Sequence, residues 1–242
     1  MTETNPAFVL VNPQLGENIG ATARAMLNFG FTGLRLVNPR DGWPNSDAIA
    51  MASGAGRVLE SAIVHDDLSD ALSGFDYVLA TTARDRDLAK PVMDPLQAAR
   101  EVRRRMADER RVAIMFGPER SGLDNADLVA ANAIIEVPTD AAFRSMNLAQ
   151  CALLIAYELK MAITQPGAGT PAVPCGPATH EEKDILARLF EEDLAEAGYF
   201  WPREKAPSMQ RNLRNMFLRL EFGKAEVRAM HGARKALKRY NP

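Results

Sequence analysis

Chemistry in this 242-residue chain centres on Phe143-Arg-Ser-Met-Asn-Leu-Ala-Gln150, where a loop is predicted to become a helix. The apolar run Ala133-Ile-Ile-Glu-Val-Pro138 precedes it and reads as a buried strand ending at proline. An apolar stretch from Leu148 to about Ile163 follows. Ser145 and Asn147 therefore stand at a helix start, where free backbone N–H groups can be capped by Ser or Asn side chains. The same N–H groups can hold the oxygens of a ligand. Taken alone, the segment is more simply explained by an N-cap than by a site.

Other reactive residues carry less. His65, His180 and His231 are isolated from cysteine and from one another, so no metal site is expected. Cys151 and Cys175 have neither metal nor redox spacing. Ser53-Gly-Ala-Gly56 looks like a phosphate loop, but Leu59 stands where a third glycine belongs and no strong strand precedes it; it reads as a glycine-rich turn. Ser145 lacks the G-x-S-x-G surroundings of a hydrolase nucleophile.

The elements that must hold these residues alternate. Strands are predicted at Phe8–Val11, Leu34–Val37, Ala62–His65, Tyr77–Ala80, Arg111–Phe116 and Ile134–Val137. Between them fall helices at about Asn18–Phe29 (with Gly30 as C-cap), Asp47–Ala52, from Asp66 or Asp67 through Leu72, Pro95–Met106, and a short one capped by Asp124. Such alternation means an α/β fold, a mostly parallel sheet with helices on both faces. In the first helix Ile19, Ala23, Met26 and Leu27 share one face; Gly20, Ala21, Arg24 and Asn28 lie roughly opposite. The helix from Asn147 to Ile163 is apolar nearly all round, so more than one side should be covered. A Pro/Gly linker at 165–178 separates the domain 1–164 from an extension at 179–242. Thr179 and Glu182 form a capping-box pattern there, opening helices at about His180–Ala197, Ser208–Phe222 and Lys224–Arg239.

Composition is that of an ordinary globular protein, 47% hydrophobic and 25% charged. No apolar run reaches the length of a membrane span, and Met1-Thr-Glu-Thr-Asn-Pro6 lacks signal-peptide chemistry, so a reducing cytoplasm is the expected location. The net charge of −2 argues mildly against a nucleic-acid partner, but its distribution does not. Acids dominate from Glu181 to Glu196 and bases from Arg203 onward, Arg211 and Arg214 among them. An amphipathic helix pair with solvated charged faces gives the same pattern.

Three segments, Asn18-Ile-Gly-Ala-Thr-Ala-Arg24, Phe116-Gly-Pro-Glu-Arg-Ser-Gly-Leu123, and Val137-Pro through Ser145-Met-Asn147, resemble in order and spacing the three motifs of the SpoU branch of the SPOUT RNA methyltransferases. The resemblance covers about residues 6–164. Met146 stands where leucine is usual and Val137 where isoleucine is usual, swaps that keep apolarity. The acidic-then-basic tail, and Thr81-Thr-Ala-Arg-Asp-Arg86, are similar to the subgroup that methylates the 2′-hydroxyl of tRNA nucleotide 32. The resemblance implies a C-terminal trefoil knot, a homodimer, S-adenosylmethionine as cofactor and tRNA as partner.

By position, cofactor contacts fall to Thr81, Thr82, Ala83, Gly117, Gly122, Val137, Arg144, Ser145, Met146 and Asn147. Gly117 permits close backbone approach to a ligand, and Val137 and Met146 offer apolar contact to an adenine. The implied catalytic group is Arg24, with Asn18 and Glu119 orienting it and Ser145 and Asn147 holding ribose or cofactor. Arg24 is better suited to clamp a phosphate than to act as a base, since arginine stays protonated in proteins. Arg84, Arg86, Arg211 and Arg214 are the candidates for gripping RNA. Alternatives that keep the same motifs are an enzyme acting on rRNA or another tRNA position, and a non-catalytic RNA-binding protein.

Overall fold

The structure is a computed structural model and describes residues 5–83, 90–164 and 176–240. In chain order the first elements are β1 (Ala7–Val11), α1 (Gly16–Asn28), β2 (Leu34–Val37), α2 (Ser46–Ala52), α3 (Gly56–Glu60), β3 (Ile63–His65), α4 (Leu68–Leu72), β4 (Tyr77–Thr81) and β5 (Val92–Met93). Then come α5 (Pro95–Ala107), β6 (Val112–Phe116), α6 (Asn125–Val129), β7 (Ala133–Ile135) and α7 (Leu148–Thr164). The tail holds α8 (His180–Glu196), α9 (Ala206–Arg219) and α10 (Lys224–Tyr240).

Local chemistry accounts for many of these boundaries. Asp94 caps α5 with Pro95 inside its first turn, and reciprocal capping boxes open α5, α6 and α8. Gly30 takes φ +84° just beyond α1, where a residue with a Cβ would be strained. Ser53 and Gly54, both at positive φ, make the turn between α2 and α3.

The strands form one parallel sheet of seven, ordered β3-β2-β1-β6-β4-β7-β5. Alternate side chains of β1 enter opposite layers. Phe8 and Leu10 join a core with α1, α2, α3, α5 and α7; Ala7, Val9 and Val11 join one with α4 and α6. Helices on both faces make the central strands apolar throughout. Among the described residues no helix is long and apolar enough to cross a membrane.

The sequence reading needs two corrections here. Gly20 is not on the free face of α1: it is buried, and an added Cβ would stand 2.2 Å from the Ala48 carbonyl oxygen. The missing side chain is what lets α1 and α2 come together. The two-residue strand β5 was absent from the reading, because Val92-Met93 is too short to show a period. Most of the expected linker, and Arg84 and Arg86, lie outside the described residues.

The tail has its own small core of Ala178, Leu186, Ala187, Phe217 and Val227. It docks where strands begin: His180 N donates to the Phe75 carbonyl at 2.7 Å, just before β4. Arg105 of α5, 1% exposed, pairs with Glu221 and stacks 4.0 Å above the Tyr77 ring centroid. Asn132, just before β7, accepts from Val78 N at 2.8 Å and donates to the Leu218 carbonyl. Asn132→Ala leaves the Val78 N–H without its acceptor in a buried place and takes one of two donors from the Leu218 carbonyl, which keeps Lys183 Nζ at 3.4 Å. Thermal unfolding should show a loss of about 2 kcal/mol, a drop in Tm of roughly 4–8 °C. An unchanged Tm would mean that this amide is not a tie between sheet and tail.

Candidate active site

Parallel register brings three strand ends to one edge. β4 ends at Thr81, opposite Ile135 of β7, and β6 ends at Phe116 beside β4 and β1. The segments leaving those ends surround a cleft of about 590 Å³, in the range of small-molecule sites. Thr81, Thr82 and Ala83 line it from β4, Gly117 to Gly122 from β6, and Val137 from β7. Arg144, Ser145 and Met146 close it at the start of α7. Sequence reasoning therefore found most of the lining. It missed Phe116 and Ile135 at the strand ends, and Leu148 and Cys151 in the first turn of α7, which nothing in their residue type marks out. Burial pushes the Cys151 thiol up to about 12, so it remains a neutral, largely apolar wall.

The loop after β6 folds back on itself. Gly122 N donates to the Pro118 carbonyl at 2.8 Å, and Gly122 turns with φ +65°. At Gly117 a Cβ would lie 2.1 Å from Leu123 N and 2.5 Å from the Gly122 carbonyl carbon, both backbone atoms. Only glycine allows this closed cradle. On the opposite wall Arg144 pairs with Glu136, a partner the sequence reading did not name.

Glu119 joins the segments. Its carboxylate accepts from Gln14 N at 2.8 Å, from Leu15 N at 3.1 Å and from Asn18 Nδ2 at 2.9 Å. Asn18 is buried, and its Oδ1 accepts from Asn147 Nδ2 at 2.9 Å. Asn147 Oδ1 in turn accepts from Ala149 N and Gln150 N, capping α7. Asn147 thus combines the N-cap with a bond to Asn18, and it does not line the cleft. Three side chains, Asn18, Glu119 and Asn147, join three segments, the first of them more than 100 positions from the other two.

Arg24 stands elsewhere. It is exposed, on the α1 stripe of Glu17, Ala21, Arg24 and Asn28, and it does not line the cleft. Asn18 bonds Glu119 and Asn147, and neither Asn18 nor Glu119 bonds Arg24. In the tail Arg211 is exposed, whereas Arg214 donates to Asp184 through Nε at 3.0 Å and a terminal nitrogen at 2.5 Å. That ion pair holds α9 against α8 and takes Arg214 out of the free basic surface. Among the described residues no group of His, Cys, Asp or Glu has the arrangement of a metal site. Glu119→Ala strips three N–H donors of their acceptor; a fall of about 2 kcal/mol in unfolding free energy is expected by denaturant titration. A variant as stable as the parent would show that these bonds do not hold the segments.

With this geometry in view, the comparisons are direct. The SpoU rRNA Methylase family profile matches residues 5–157. The tRNA (cytidine/uridine/adenosine-2′-O-)-methyltransferase TrmJ of Pseudomonas aeruginosa is 35% identical over 233 residues, 93% of this chain and 90% of that protein. The tRNA (cytidine/uridine-2′-O-)-methyltransferase TrmJ of Cronobacter sakazakii is 35% identical over 236 residues, 94% of each. The crystal structure of TrmJ from Z. mobilis superposes with a TM-score of 0.86 at 44% identity, over 97% of this chain and 99% of that one. AviRb from Streptomyces viridochromogenes, solved in complex with AdoMet, shares the fold at 16% identity and a TM-score of 0.51. The chain belongs to the SpoU rRNA Methylase family and, within it, to the TrmJ group that these relatives represent.

Proposed function

We propose that the protein methylates the 2′-hydroxyl of a tRNA ribose, at nucleotide 32 of the anticodon loop on cytidine or uridine, with S-adenosylmethionine as donor. The observation that carries this reading is the closure of three distant segments around one cleft, in a chain that matches tRNA 2′-O-methyltransferases along almost its whole length. The cleft fits the cofactor. Its glycine cradle at Gly117 leaves backbone within reach of a ligand, Val137 and Met146 give apolar walls for an adenine, and Thr81 to Ala83 border the other end. S-adenosylmethionine supplies a methyl group already activated by a sulfonium, so the chain has mainly to bind, orient and ease loss of the hydroxyl proton. Ser145 lines the cleft as a hydroxyl available to ribose or cofactor, and Asn147 holds the segment that carries it.

Arg24 serves as a phosphate clamp beside the target ribose. It is exposed, has no hydrogen-bond or ion-pair partner among the described residues, and does not line the cleft of its own chain. Those facts fit a homodimer in which it serves the cleft of the second copy. Supporting that assembly, α7 exposes Leu153, Leu154, Tyr157 and Met161 beside α1, with Tyr157 edge-on to Phe29 at 5.9 Å. The trefoil knot implied by the resemblance is supported by strand order, since β6 is inserted between β1 and β4, and β7 between β4 and β5. With residues 179–242 as an RNA-binding extension, the whole describes a cytoplasmic tRNA-modifying enzyme.

Unmodified total RNA incubated with methyl-labelled cofactor should acquire a 2′-O-methyl group at tRNA position 32. Label in rRNA or at another tRNA nucleotide would replace the assigned substrate; no transfer at all would remove the activity. Arg24→Ala is expected to lose about 100-fold or more in transfer while cofactor affinity changes by less than about threefold. Near-normal turnover would exclude the clamp.

A further inference from the structure

Part of the tail's charge asymmetry is consumed inside it. Asp184 of α8 pairs with Arg214 of α9 and Arg188 of its own helix. Asp193 takes Arg234 and Lys238 of α10, and Glu196 takes Lys238 as well. These bonds zip the acidic helix to the two basic ones. Lys224 and His231 have no side-chain partner among the described residues, and Arg228 donates only to the Lys224 carbonyl, at 3.3 Å. Residues 224, 228 and 231 are spaced four and three apart and so share one face of α10.

That face borders a second cavity. A space of about 420 Å³ lies between α8 and α10, lined by Glu182 and Ile185 on one side and by Lys224, Val227, Arg228 and His231 on the other. It shares no residue with the cleft of the candidate active site. Glu182, the one carboxylate in the lining, is engaged: it accepts from Thr179 N at 2.8 Å in the capping box of α8. Val227 is buried and Ile185 half-exposed, so the floor is apolar beneath a rim of cationic and hydrogen-bonding groups. Such a site suits a sugar–phosphate chain, with ribose on the apolar surface and phosphodiester oxygens on the nitrogens.

Resting on the tRNA reading above, we propose that this cavity is a docking site for the tRNA backbone, with Lys224 and Arg228 paired to phosphates and His231 donating a further hydrogen bond. The position says which part of the RNA it holds. The tail is anchored before β4, at Phe75 and Asp76, whereas the cleft opens after the same strand, at Thr81. A five-residue strand separates those ends by about 15 Å. On this proposal the docked backbone is a segment outside the target loop, so that the site reads the tRNA body rather than the methylated nucleotide.

The test uses the full chain with Lys224→Ala, Arg228→Ala and His231→Ala together, all outside the tail core. Full-length tRNA should bind at least about tenfold more weakly, and the slope of log K against log salt should shrink by about two. Affinity for S-adenosylmethionine should stay within about twofold. The loss on full-length tRNA should exceed the loss on an isolated anticodon stem-loop at least fivefold, about 1 kcal/mol. Lys224→Arg with Arg228→Lys should restore most of the binding. Unchanged tRNA affinity and salt slope would overturn the proposal, as would equal losses on tRNA and stem-loop. If the parent protein binds and methylates tRNA while the triple variant is indistinguishable from it, the docking site falls and the enzyme assignment stands. A parent protein that binds no RNA would overturn both.

Discussion

The Glu119 carboxylate is the constraint on which the site depends. It sits on a loop leaving β6 and gathers two backbone N–H groups and the Asn18 amide from the segment leading into α1. Asn18 then passes the connection to Asn147 at the start of α7. A carboxylate satisfied by three donors is fixed in place, and charge-assisted hydrogen bonds of this kind are among the stronger ones in proteins. The site is partly open to water, which weakens each bond but not the geometry. The junction ties the loop holding Gly117 to the loop holding Ser145 through side chains, in addition to the paired strands that they leave.

A different logic governs the tail. Its charges look in sequence like an acidic block followed by a basic one, and the natural reading is a basic surface. Folding the blocks against each other commits Arg214, Arg234 and Lys238 to Asp184, Asp193 and Glu196. A positive surface is defined by what remains after pairing, not by what the sequence contains. The same docking ties tail to sheet through Asn132, Lys183 and Arg105, so the tail is a fixed part of this chain's shape.

The local features of the fold were legible because their causes are local. Asp94 before Pro95, Thr179 before Glu182 and Gly30 after the first helix each announce a boundary within four residues. The alternation of apolar strands and helices likewise identified the parallel sheet. Features set by distant partners were not legible. Gly20 reads as a small surface residue until Ala48 is placed against it, and Arg214 reads as a free cation until Asp184 is found beside it. The lining of the cleft was found through the motif resemblance rather than through residue chemistry. Its unmarked members, Leu148 and Cys151, escaped because an apolar helix start has the same composition whether it faces a ligand or the core.

The central claim is that one hydrogen-bonded junction builds the cofactor cleft from segments far apart in sequence. It is tested most directly by calorimetric titration of S-adenosylmethionine across a double-mutant cycle of Asn18→Ala and Glu119→Ala. If the two side chains act as one unit, each single variant loses affinity and the double variant loses little more than the worse of them, a coupling of about 1 kcal/mol or greater. Losses that simply add, or single variants that bind the cofactor as the parent does, would contradict the claim.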